Sequence, residues 1–69
     1  MDCKERFNKE FRIAKMSRNS LLCIDTQGND VYIHRNAYNQ LYNAVDYRVI
    51  EKPEMGNMRW IEVLVWKSF

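Results

Sequence analysis

Apolar and polar residues alternate most regularly near the end of the chain. Over Arg59–Trp66, Ile61, Val63 and Val65 point one way, and Trp60, Glu62, Leu64 and Trp66 point the other. The first set is the natural core face. The second carries two tryptophans and a leucine, so the strand is either covered on both sides or presents a binding face. Upstream, Val45–Glu51 sets Val45, Tyr47 and Val49 against Asp46, Arg48 and Ile50, the pattern of a half-buried strand. Pro53 and Gly56 make the intervening stretch a loop, and Pro53 ends the first strand by removing a ladder donor.

Ser20–Asp25 and Asp30–Arg35 form a further strand pair around Thr26-Gln-Gly-Asn29, with Gly28 able to take a positive φ. Tyr38, Leu41 and Tyr42 fall at helical spacing within Asn36–Ala44, which predicts a short helix or helical turn. At the N-terminus, Cys3, Phe7, Phe11 and Ala14 fit one helix face, with Asp2 as N-cap. Phe11–Met16 also reads as a strand. The segment is therefore expected to be helical or irregular to about Asn8 and a strand over about 10–17. The predicted core is Ile24, Val31, Ile33, Val49, Ile61, Val63 and Val65.

Three strands, a short helix and two further strands give an all-β class with the order of a small five-stranded OB-fold barrel. The 69 residues leave room for one domain, spanning 1–69 with 1–9 as an N-terminal extension. So short a chain buries only about 60% of its unfolded surface. Its nine aromatic residues, Phe69 among them, exceed what such a core can hold, so some rings must face solvent.

Net charge is only +2, but it is unevenly placed. Residues 1–18 carry six basic side chains (Lys4, Arg6, Lys9, Arg12, Lys15, Arg18) against three acidic ones, a distribution suited to phosphate or an acidic protein face. The plain alternative is a solvated surface. The charged N-terminus and the absence of a long apolar run predict a cytoplasmic chain without a membrane span. Cys3 and Cys23 are then expected to be free thiols.

Asp30-Val-Tyr-Ile-His-Arg35 resembles the D-V-F-V-H-F segment of the cold-shock domain family. Asn19–Ile24 corresponds to that family's K-G-F-G-F-I strand. The similarity extends through Val45–Val49, the Gly56 loop and Ile61–Val65, covering roughly residues 11–66. It implies an OB-fold and single-stranded nucleic-acid binding, with Tyr32 and His34 on the outer face. The chain departs from the family at Leu21 and Cys23, which replace stacking aromatics, and at Ser20 and Leu22, which replace glycines. Met16 replaces the first-strand tryptophan, and Arg35 the last aromatic of the third strand.

The sequence offers no catalytic constellation. His34 is the single histidine, and a nominal pairing with Cys23 across the hairpin lacks an orienting group or oxyanion hole. Two glycines cannot build a phosphate loop, and one histidine with two distant cysteines cannot complete a metal site; no cofactor is expected. Binding is the better reading. Tyr32 and His34 supply stacking groups, while Arg12, Lys15, Arg18 and Arg35 are placed to meet phosphates of single-stranded RNA or DNA. The alternative is a small phage or mobile-element protein that binds and inhibits a host protein. Its apolar face would then comprise Met16, Leu21, Trp60 and Trp66. Either reading suits a monomer or weak dimer.

Overall fold

The computed structural model describes residues 2–54 and 56–67; Phe69 lies outside them. Helix α1 (Cys3–Glu10) opens the chain, followed by β1 (Phe11–Met16), β2 (Ser20–Asp25) and β3 (Asp30–His34). A five-residue helix α2 (Arg35–Asn39) leads to β4 (Ala44–Glu51) and β5 (Trp60–Lys67). The five strands form one sheet in the order β1-β2-β3-β5-β4. All neighbours are antiparallel except β3 and β5, which run parallel through Tyr32 opposite Trp60 and Ile33 opposite Ile61.

The expected barrel is corrected to an open sheet, because β1 and β4 are edge strands that do not pair among the described residues. The physical reason is α1, which packs against both. Asp2 starts this helix by accepting a 2.8 Å hydrogen bond from the Glu5 N–H, satisfying an otherwise orphaned donor. Phe7 is fully buried and stacks on Phe11 of β1, with ring centroids 4.9 Å apart. Its ring also meets the edges of Tyr38 beyond β3 and Tyr47 of β4, at 5.7 and 6.1 Å. Residues 1–9, read as an extension, thus contribute Cys3 and Phe7 to the core.

Opposite the outer face, Leu21, Cys23, Val31, Ile33, Leu41, Ile61 and Val63 complete the buried cluster, with Val49 and Val65 packed against it. Ile24 is only half-buried, which corrects the expected phase of β2. Cross-strand partners share a face. Leu21 lies opposite Ile33 and Cys23 opposite Val31, so these two turn inward while Leu22 and Ile24 turn outward. In β4 a register shift between Ala44 and Asp46 leaves Val45 58% exposed and packs Ala44 on the core instead.

The β2–β3 hairpin turns as expected at Gly28, which has φ +84°. Asp25 secures that turn by accepting the N–H groups of Gln27 and Asn29, both at 2.9 Å. Its other carboxylate oxygen takes a 2.7 Å ion pair from Arg59, whose guanidinium also grips Glu51 at the end of β4. One arginine therefore ties the ends of β2, β4 and β5 together.

Candidate nucleic-acid interface

The outer face of the sheet is assembled by register. Tyr32 and His34 stand two residues apart on β3 and so share this face. The parallel pairing sets Trp60 of β5 beside Tyr32. The Trp60 ring lies 4.6 Å from His34 at an interplanar angle of 25°, and 5.3 Å from Tyr32 at 33°. Three rings thus form one cluster, with His34 exposed and the other two half-buried. Ring pairs at such separations are favourable beyond the area they bury, so Trp60 helps to hold both of its neighbours.

Leu22 faces Tyr32 across the β2–β3 ladder, and Ser20 faces His34. On the next strand Lys15 lies opposite Leu22 and Arg12 opposite Ile24, which brings two exposed cations onto the same face. Arg18 is exposed in the β1–β2 turn. Arg12, Lys15 and Arg18 form no ion pair among the described residues. Arg35 is different: it is half-buried and donates to the Ser17 carbonyl at 3.2 Å, so it braces the turn beneath the face. Arg48 joins the face from β4, opposite Leu64.

The N-terminal positive charge divides between two sides of the molecule. Lys4 sits over the rings of Tyr38 and Tyr42, at 5.1 and 5.9 Å. Arg6 lies 5.0 Å from the Tyr47 ring and pairs with Asp46 at 3.4 Å. These two cations hold α1 in place; Arg12 and Lys15 are the ones available to a ligand on the sheet.

The residues assigned to an apolar protein-binding face are separated by the structure. Leu21 is fully buried, and its place in that set is corrected: pairing with Ile33 commits it to the core. Met16 and Trp66 are 54% and 50% exposed, and Leu64 is 48% exposed beside Trp66. Trp60 belongs to the aromatic cluster. The outer side of β5 is therefore covered only around Trp60. Cys23 and His34 occupy opposite faces of the hairpin and make no pair, and burial pushes the Cys23 thiol pKa up.

Trp60 and Arg48 were not among the residues sequence reasoning gave to nucleic acid. Trp60 could have been found from one signal: if β3 and β5 are neighbours, its alternation puts it on the Tyr32 side. Among the described residues no cluster of His, Cys, Asp and Glu is arranged to hold a metal, and no helix is long and apolar enough to cross a membrane. No family model, curated protein or solved structure matches this chain.

Proposed function

We propose that the protein binds single-stranded nucleic acid across the outer face of its sheet. The observation carrying this reading is the Tyr32–Trp60–His34 cluster, open on one side and flanked by the cations of Arg12 and Lys15. Ring faces accept unstacked bases of any sequence, and unpaired cations gain by displacing counterions from phosphates. The reading also draws on the cold-shock resemblance, which implies stacking side chains on one strand face. That resemblance meets the structure at Tyr32 and His34. It does not extend to the buried Leu21 and Cys23, so Trp60 takes over part of the stacking surface.

Fluorescence anisotropy with a labelled oligonucleotide at two salt concentrations tests the reading. Tyr32→Leu should weaken binding by about 1–3 kcal/mol at both salts, roughly 5- to 150-fold, whereas Tyr32→Phe should retain most of the affinity. Lys15→Ala should instead reduce the salt slope. Oligonucleotide binding that Tyr32→Leu leaves unchanged would reduce the interaction to nonspecific attraction. Exposed Leu64 and Trp66 favour a second reading, a protein partner docked on the far part of the same face. It predicts negligible oligonucleotide affinity even at low salt.

A further inference from the structure

A cleft of about 500 Å3 opens beside the aromatic cluster, lined by His34, Lys52, Pro53, Met58 and Trp60. Its volume falls within the ~300–1,000 Å3 usual for small-ligand sites. One wall is the stacked pair of His34 and Trp60. The opposite side comes from the connection between β4 and β5, which Gly56 helps to turn with φ +65°. The Lys52 N–H donates to the Trp60 carbonyl at 3.0 Å, fixing the start of that connection against β5.

The lining chemistry is selective in kind. Indole, imidazole, thioether and pyrrolidine groups present flat or polarizable apolar surface. Among the described residues Lys52 is the single cation at the cleft and no carboxylate lines it; the lining is almost wholly apolar, so Lys52 contributes mainly its aliphatic stem to the wall. Lys52 makes no ion pair among the described residues. Such a site suits a planar aromatic group joined to an anion. We propose that the cleft accepts one nucleotide, its base against Trp60 and Met58 and its phosphate against Lys52. This rests on the single-strand reading, in which a strand crossing Tyr32 would deliver its next base to the cleft. The same chemistry is offered by a free mononucleotide.

The test uses a Trp66→Phe background, which leaves Trp60 as the sole tryptophan of the full chain. Trp60 fluorescence is followed during titration with uridine monophosphate, uridine, and an oligouridylate of about eight nucleotides. Binding of the monophosphate about tenfold tighter than uridine, with that difference abolished by Lys52→Ala, supports the cleft. If the monophosphate fails to bind but Lys52→Ala and Met58→Ala each weaken the oligonucleotide about tenfold, the cleft takes a nucleotide only within a strand. If the oligonucleotide binds through Tyr32 while the monophosphate fails to bind and both cleft variants are unchanged, the cleft assignment is overturned and the single-strand reading survives. A Lys52-dependent monophosphate with an oligonucleotide that binds no tighter leaves a free-nucleotide site and removes the strand reading. Absence of any response overturns both.

Discussion

Phe7→Ala tests the arrangement that holds the open sheet together. Phe7 has no solvent exposure and contacts rings from β1, β4 and the α2 region. Losing a buried phenylalanine costs about 3–5 kcal/mol through lost transfer energy and the cavity left behind. Three aromatic contacts, each worth about 0.5–1.5 kcal/mol beyond area, place this site toward the upper part of that range. A domain of this size has roughly 3–10 kcal/mol of total stability. The variant should therefore be unfolded in buffer or close to it. Urea titration followed by far-ultraviolet circular dichroism reads the effect. With a slope near ~1 kcal/mol/M, the midpoint should fall by about 3–5 M or vanish. Phe7→Leu keeps much of the volume and should lose about half as much. A Phe7→Ala loss below about 1 kcal/mol would refute the argument, since α1 would then be a peripheral appendage.

Val63→Ala should destabilise by about 1–3 kcal/mol in the same titration, because Val63 is 7% exposed on the inner side of β5; an unchanged midpoint would remove it from the core. Gly28→Ala should cost about 1–2 kcal/mol from its positive φ alone, since an added Cβ would meet nothing within 4 Å; a neutral result would mean the turn relaxes. Asp25 should contribute to acid sensitivity, as should Glu51, which the same Arg59 guanidinium holds below the usual carboxylate range. The Asn29 N–H, then Arg59 and the Gln27 N–H, hold the pKa of Asp25 below the usual carboxylate value. A depressed folded-state pKa contributes stability above the unfolded value of about 3.9, and that contribution is lost as pH falls through the folded value. Asp25→Asn should therefore be less stable near neutrality and flatter below about pH 4, and a curve merely parallel to that of the parent protein would sink this assignment.

Elements were legible wherever polarity alternated. Ile61, Val63 and Val65 alternate with Glu62 and Leu64, so the inner face of β5 could be read from the period of two and the β-branched side chains. Asp2 and Gly28 were legible for a different reason, because each position has a stereochemical requirement that few residues meet. Leu21-Leu-Cys-Ile24 carries no such signal. All four residues are apolar, and either phase satisfies a one-strand argument. Pairing with Val31 and Ile33 decides the phase, and pairing is a tertiary fact. Val45 was misplaced by the shift next to Ala44, which breaks the period of two at one residue. Closure into a barrel failed for a longer-range reason: the N-terminal apolar residues that could have extended β1 instead form a helix between the two edge strands.

The candidate site follows the same division. Tyr32 and His34 could be found within one strand, because their spacing alone puts them on one face. Trp60 could not, since it lies 26 positions beyond His34 in the chain and reaches it only through the β3–β5 pairing. The slip of one residue in β2 also had a chemical consequence. It had placed Leu21 and Cys23 outside, turning the stacking positions of the face aliphatic and strengthening the case for a protein partner. With both residues inside, the outer face gains Leu22 and Ile24 beside Lys15 and Arg12, and its centre becomes three rings. Two exposed apolar residues, Leu64 and Trp66, lie further along β5 than Trp60; exposed Glu62 separates them from the ring cluster on the same strand face, and Arg48 is the cross-strand partner of Leu64. Stacking and protein docking would thus draw on different stretches of one strand. A ligand at Tyr32 and Trp60 leaves Trp66 uncovered, which is why substitutions at Tyr32 and Trp66 separate the two readings.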